Sequence, residues 1–523
     1  MTISADSVRN GSAATVFTDV AGIRQALFDL ERPCFVIRDG KSIGMSNQPV
    51  AGDRELLAVA PPCPPRLLGS SGFRASYRLR AAYMAGAMAG GIASVPLVIA
   101  LAKAGYLGSF GTGGLGLDRI ESALGQLAAS IPDAYLVNLL HSPQDRGREA
   151  GTVDLFLRHR VTAVEASAFL GLTPELVRYR VSGLSRRDGR VNVGHRIMAK
   201  VSRVEVGRKF LSPAPESMVA ELLRRGQVDA EQAELAKLVP MADDITVEAD
   251  SGGHTDGRPL VALLPHFLRE RESVRVGFQP AGAVRIGAAG GIGTPEAIAA
   301  AYMLGAEYVV TGSVNQICIE ADVSAPAKAL LAAADITDFG SAPAADMFEI
   351  GAQVQVLKKG TLFAQRGQRL RELYDRYESL EELPDAERNW LEQKVLRGPI
   401  DTVWHQIREY LTATNPGELA AADQDPRLRM SLLFRWYLGL SSRWAREGEA
   451  TRLVDFQLWA GPSLGSFNRW TMGTPLADAD QRTVARVADH LMLGAAVTTR
   501  VHHLRTLGIR LPAAVADYRP ELF

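Results

Sequence analysis

VRIGAAGGIGTPEAIAAAYMLGAEYVVTGS, residues 284–313, decides the fold. It reads as an apolar strand, a glycine turn, a helix, and a second apolar strand ending in Thr-Gly-Ser. Gly290, Gly291 and Gly293 permit a tight turn with backbone amides pointing inward, Thr294 can cap the helix, and Pro295 suits its first position. A helix start of this kind presents free N–H groups and the positive end of the helix dipole, which complement a phosphate. Thr311, Gly312 and Ser313 at the next strand end would complete the cradle. Taken alone, the turn is also what a well-capped helix without a ligand would show. Its placement between two apolar strands is the form that phosphate sites take near the end of a (β/α)8 barrel.

Working outward, the same rhythm of apolar run, Gly/Ser/Asn loop and amphipathic stretch begins at Tyr83. Candidate strands are YMAGAMA from Tyr83, YLGSF from Tyr106, AYLVNLL from Ala134, VTAVEASAF from Val161, HRIMAKVS from His195 and DITVEAD from Asp244. VRIGAAG from Val284 and EYVVTGS from Glu307 bring the number to eight, which suits a closed α/β TIM barrel. SPAPESMVAELLRRGQVDAEQAELAKL reads as a helical insertion at about 211–240, two helices broken by Gly226 with Asp229 as a cap. The expected domains are an N-terminal extension over 1–65, ending in PPCPP, the barrel over 66–324, and a mainly helical C-terminal region over 325–523. Within that last region GPSLGSFNRWTMGTP, from Gly461, reads as a loop.

Composition narrows the function classes. With 47% apolar and 22% charged residues the chain is ordinary globular material. The 58 basic and 58 acidic side chains cancel, so no overall field argues for nucleic acid or an anionic membrane. Residues 81–102 carry no charge and have the length of a membrane span, but Gly86, Gly90, Gly91, Ser94 and Pro96 interrupt them, so a strand, loop and helix fit better. Cys34, Cys63 and Cys318 are too scattered for a disulfide framework or a zinc site, and the start MTISADSVRN lacks the features of a signal peptide. The expectation is a cytoplasmic protein without a metal.

Four further features carry possible chemistry. GTGGLG at 111–116 matches a dinucleotide fingerprint, yet the next strand ends near Asn138 and lacks the acidic residue that would hold a ribose, so a glycine loop at a barrel mouth is the better reading. In EADSGGHTDGRP, two glycines let His254 project over the mouth to donate a proton or hydrogen bond, or simply to tie the turn down, with Asp250 and Asp256 as groups that could orient it. Lys200 at the end of HRIMAK either reaches water or neutralises an anionic ligand, and Asn138 either pairs its amide with a ring edge or caps a helix. The stretch 178–209, holding ten Arg and Lys residues against Asp188 and Glu205, reads as solvated surface or as a dock for an acidic partner.

EADSGGHTD, GGIGTPEA and VTGSVNQ together resemble the PfaD-type flavin enoyl reductases of polyunsaturated fatty acid and trans-acyltransferase polyketide synthesis, distant relatives of the nitronate monooxygenases. The resemblance extends through PCFVIRDGKSIG, AYMAGAMAGGIAS, VEASAFLGLTPELVRYR, AKVSR, FLSPAP, APAADMFEIG and LKKGTLFAQRG. It implies FMN as cofactor, NADPH as electron donor, and an enoyl thioester on an acyl carrier protein of a megasynthase as substrate. By residue it implies Gly290, Gly291, Gly293, Thr311, Gly312 and Ser313 at the FMN phosphate, and Ala87, Met88, Ala89, Asn138, Lys200 and Gly253 at the ring. His254 and Lys200 would be catalytic, and Glu165, Arg178, Arg180 and Gln316 would face substrate or partner. The competing expectations are a nitronate-type flavin oxidase on the same barrel and a non-catalytic docking subunit. A homodimer through the C-terminal helices is a further expectation.

Overall fold

The structure is a computed structural model and describes residues 15–50, 54–142, 146–254, 256–274 and 284–521. Eight parallel strands close into one barrel: Tyr83–Ala85, Leu107–Phe110, Leu136–Leu140, Ala163–Ser167, Arg196–Val201, Asp244–Glu248, Arg285–Ala289 and Val309–Thr311. They are the eight apolar runs of the sequence, each trimmed at one or both ends. Strands buried on both faces read as continuous apolar runs, which is why their pattern is legible. Closure comes from the first strand, which pairs with the eighth at Val309↔Tyr83 and with the second at Met84↔Leu107.

Side chains fill the lumen. Met84, Leu107, Leu136, Ala163, Met198, Tyr308 and Val310 form one buried cluster with Phe73 and Tyr77 of the helix Ser71–Tyr77. That helix plugs the N-terminal end of the barrel: the Phe73 ring stacks on Tyr308 at 4.2 Å, and the Tyr77 hydroxyl donates to Asp244 at 2.7 Å. Arg285 clamps the same carboxylate with bonds of 2.6 and 2.8 Å. The opposite end, where the strands finish in glycine-rich loops, is left for a site.

Helices ring the barrel, among them Val95–Lys103, Leu117–Ser130, Pro174–Ser182, Val204–Leu211, Leu260–Val274 and Pro295–Met303. The insertion forms helices Glu216–Arg224 and Ala230–Ala236, with Gly226 at φ 67° between them and an Asp229/Gln232 capping box. The uncharged run 81–102 resolves into a strand, a turn and a helix. Among the described residues no helix is long and apolar enough to cross a membrane.

Outside the barrel, an antiparallel sheet of Ser42–Ser46, Cys34–Asp39 and Glu55–Ala60 lies against the long helix Val484–Thr506. Arg500 of that helix is buried and donates to five carbonyls of the N-terminal segment, those of Leu27, Asp29, Leu30, Arg32 and Pro61. The C-terminal helices Phe363–Arg376, Ile400–Thr414 and Pro426–Glu447 pack around a second core that includes Phe348, Leu370 and Tyr437. A buried Asp455 in this region receives Arg366, Arg397, Arg452 and the Tyr437 hydroxyl.

A β-hairpin, Phe339–Pro343 with Gln353–Leu357, accompanies the helices of this mainly helical region. One reading needs correction. The segment from Gly461, read as a loop, is the helix Pro462–Thr471. Pro462 occupies its first turn, Leu464, Phe467, Trp470 and Thr471 form its buried stripe, and Gly465 has no side chain to obstruct the backbone of Asp335 and Ile336.

Candidate active site

The floor of the mouth is polar and buried. Glu165 on the fourth strand, 1% exposed, reaches across the lumen so that its Oε2 accepts the Ala87 N–H at 2.9 Å. Its Oε1 has no hydrogen-bond partner and lies 3.6 Å from where a Cβ on Gly86 would stand. Lys200 on the fifth strand sets its Nζ 3.0 Å from Glu248 Oε1 on the sixth. Burial opposes the Lys200 charge, but the carboxylates of Glu248 and Glu165 outweigh it and hold the ammonium above its ordinary range. Asn138 on the third strand donates its amide to the Glu165 carbonyl and to Ser167 Oγ, at 2.9 and 3.0 Å.

The loops over this floor touch one another at positions where only glycine fits. A Cβ on Gly111 would lie 1.8 Å from the Met88 carbonyl oxygen, and Gly90 donates its N–H to the Gly113 carbonyl at 2.6 Å. GTGGLG therefore packs the loops of the first two strands together, as a barrel mouth requires. Gly290 adopts φ 85°, and a Cβ there would meet the Ala249 backbone at 2.6 Å. Gly293 has no such strain, but its Cβ would lie 2.1 Å from the Ser463 carbonyl oxygen. The turn leads into the helix Pro295–Met303, where Thr294 accepts the Ala297 N–H. The cradle is thus pressed between the loop of the sixth strand and the start of helix Pro462–Thr471.

C-terminal residues complete the rim, which the sequence did not disclose. Gly253 bridges to Gln355 in antiparallel fashion, and Gln316 donates to the Trp459 carbonyl. His254 Nε2 lies 2.9 Å from Asp346 Oδ1, with the Trp459 ring edge-on at 6.4 Å. The expected orienting groups are engaged elsewhere: Asp250 accepts from Gln355, and Asp256 binds Arg203 and Ser202. Ser251 Oγ and Gln355 Oε1 join Glu165 Oε1 as buried atoms without a hydrogen-bond partner among the described residues. Buried polar atoms without a protein partner are rare enough to call for one from outside the chain, a water or a ligand.

Several expected residues serve the scaffold instead. Arg180, 2% exposed, is buried on Asp243 and on the carbonyls of Pro240 and His195, so it cannot face a partner. Arg178 is held by Asp154 and Glu175, and Gln316 is buried as a tie to the C-terminal region. The Thr311 hydroxyl is taken by Tyr83 and Asn315. Most of the basic stretch is likewise consumed: Arg203 by Asp256, Arg208 by Glu270 and Lys200 by Glu248. Arg186, Arg187 and Arg190 stay exposed on the hairpin Leu184–Arg187/Arg190–Val193, which precedes the fifth strand and so lies at the barrel end opposite the mouth.

The profile of the nitronate monooxygenase family matches residues 81–346, and that of the fatty acid synthase subunit PfaD N-terminal domain matches 10–62. A third, described as the inserted helical domain of [acyl-carrier-protein] S-malonyltransferase, matches 377–456. A polyunsaturated fatty acid synthase polypeptide of Thraustochytrium sp. is 42% identical over 507 residues, 95% of this chain and 34% of that protein. Polyketide biosynthesis protein PksE of Bacillus subtilis is 44% identical over 82% of this chain and 56% of its own length. The chain thus spans about a third to a little over half the length of these curated relatives. The crystal structure of the enoyl reductase domain of MlnA, from the macrolactin biosynthesis cluster of Bacillus amyloliquefaciens, superposes with a TM-score of 0.81. It is 39% identical and covers 85% of this chain and 100% of that one. With the barrel, the glycine cradle and the His254 loop already in place, these likenesses show that the chain belongs to the PfaD-like family of enoyl reductases built on the nitronate monooxygenase barrel.

Proposed function

We propose that the chain is an FMN-dependent enoyl reductase that uses NADPH to saturate the α,β double bond of thioesters held on an acyl carrier protein of a polyketide or fatty acid megasynthase. The observation that carries this reading is the glycine turn 290–293 at the start of helix Pro295–Met303, backed by buried polar atoms that lack partners at the same mouth. Bound FMN would supply the hydride that reaches the β-carbon. Gly290, Gly291 and Gly293 would hold its phosphate with Gly312 and Ser313, while Ala87, Met88, Ala89, Gly253, the Asn138 side-chain oxygen and Lys200 would line its ring.

The remaining chemistry belongs to side chains of the mouth. Reduction of an enoyl thioester places negative charge on the thioester oxygen and requires a proton at the α-carbon. His254 suits that task. Its Nε2 is committed to the Asp346 carboxylate, which makes Nε2 the protonated nitrogen and leaves Nδ1 to hold a proton or a hydrogen bond for the substrate. The Trp459 ring stands edge-on to His254 on this side of the rim.

The test is anaerobic. Purified protein should be yellow, should bleach with NADPH, and should regain its colour when a crotonyl-loaded carrier protein is added. Replacing His254→Ala should leave the colour intact and slow the carrier-dependent step by about 10²-fold or more. Undiminished reoxidation would remove His254 from the reaction. The match to the nitronate monooxygenase profile keeps a second reading, which oxygen consumption with a nitroalkane in the absence of NADPH would favour. A colourless protein that binds the carrier would instead favour a docking subunit.

A further inference from the structure

Lys200 is the natural cation for a reduced, negatively charged cofactor, yet its surroundings leave it little charge to offer. Glu248 Oε1 stands 3.0 Å from its Nζ, and Glu165 faces the same ammonium from the neighbouring strand. Glu165 is buried, holds the Ala87 amide with one oxygen, and keeps the other unpartnered toward Gly86. The cluster therefore carries two carboxylates and one ammonium, in a place where low solvent exposure keeps such charges from being screened. Ala87, whose amide is fixed by Glu165, is the second residue of the loop that follows the first strand, so the acidic group reaches the mouth itself.

We infer that Glu165 and Glu248 are positioning residues that set the cofactor's reduction potential low, by spending the Lys200 charge and leaving one negative charge in excess beneath the ring. This rests on the proposal that a flavin occupies the mouth. Adding two electrons and one proton to that ring leaves one negative charge, and a fixed negative charge nearby opposes it. A lower potential makes the reduced cofactor a stronger hydride donor toward the β-carbon of a conjugated thioester. The three residues predict opposite signs: removing either carboxylate relieves the repulsion, and removing the ammonium increases it.

The experiment is anaerobic equilibration of the flavin-loaded protein with a reference dye, for the wild type and for Glu165→Gln, Glu248→Gln and Lys200→Met. Glu165→Gln keeps the shape and an oxygen acceptor for the Ala87 amide, and Glu248→Gln gives an independent reading if that variant folds poorly. Each Gln variant should shift the equilibrium toward the reduced form about tenfold, a rise of about 30 mV for two electrons, and Lys200→Met should shift it the other way. Gln variants that retain bound flavin with an unchanged or lowered potential would overturn the inference while leaving the proposed function standing. Wild-type protein without a flavin spectrum would remove the cofactor reading and the inference with it.

Discussion

Alanine at each glycine of the cradle should produce a graded series whose order follows from two obstacles, met singly or together. At Gly291 a Cβ meets nothing within 4 Å, so the only penalty is the left-handed backbone at φ 71°, about 1–2 kcal/mol for a non-glycine residue. At Gly293 the backbone is unstrained, but the added carbon would lie 2.1 Å from the Ser463 carbonyl oxygen, and forcing those apart costs about 1–3 kcal/mol. Gly290 carries both, with φ 85° and a backbone contact at 2.6 Å, so its cost is about 2–5 kcal/mol. Urea midpoints should therefore fall in the order Gly291→Ala, Gly293→Ala, Gly290→Ala, mildest first. Affinity for FMN, titrated by quenching of its fluorescence on apoprotein, should separate the set further. Gly293→Ala moves the turn against helix Pro462–Thr471 and displaces amides that would bond the phosphate, and losing one charge-assisted bond costs about 1.5–3 kcal/mol, tenfold or more in Kd. Gly293→Ala protein that matches Gly291→Ala in both stability and FMN affinity would refute the cradle as described.

Two other regions give independent checks. Arg500→Met should orphan five carbonyls of the N-terminal segment, cost on the order of 3 kcal/mol or more, and expose residues 15–62 to limited proteolysis ahead of the barrel. Burial, with help from the charge of Arg486, lowers His490 from 6.5 to about 4. Its folded value lies below its unfolded one, so its contribution is complete above pH 6.5 and is lost as pH falls toward 4, a change of about 3 kcal/mol. Urea midpoints at pH 7.5 and 4.5 should thus differ less in His490→Gln than in the wild type, and equal differences would exclude His490 as a cause of acid lability.

The barrel was readable because parallel strands covered on both faces must be apolar throughout, and several of them lead into glycines that a crowded mouth requires, as at Gly86, Gly111, Gly290 and Gly312. The cradle announced itself for the same reason: Gly290, Gly293, Thr294 and Pro295 are local demands of one turn and one helix start. What escaped was set by contacts between distant parts of the chain. His254 is oriented by Asp346, 92 residues later, and not by the nearer Asp250 or Asp256. Arg180 looked like surface because charge is visible in a sequence and burial is not, and only the fold supplies Asp243 and two carbonyls to absorb it. The Asp188-Gly189 pair inside the basic stretch was a legible signal for the hairpin that separates Arg186 and Arg187 from Arg190. Helix Pro462–Thr471 hid behind Gly461, Gly465 and Gly473, although Leu464, Phe467 and Thr471 already carried helical spacing.

The contact between Gly293 and Ser463 also has a temporal meaning. The last barrel strand ends at Thr311, so about 150 residues must still be synthesised before the segment that closes the cradle emerges, roughly 10–30 s of translation. During that interval the strands also lack helix Val484–Thr506, which packs on helices Pro295–Met303 and Val95–Lys103, so the barrel and its mouth are completed together. Any cofactor proposed for the mouth would therefore find its seat only after the C-terminal helices have been made, and a chain cut before residue 459 should lose the barrel as well as the seat.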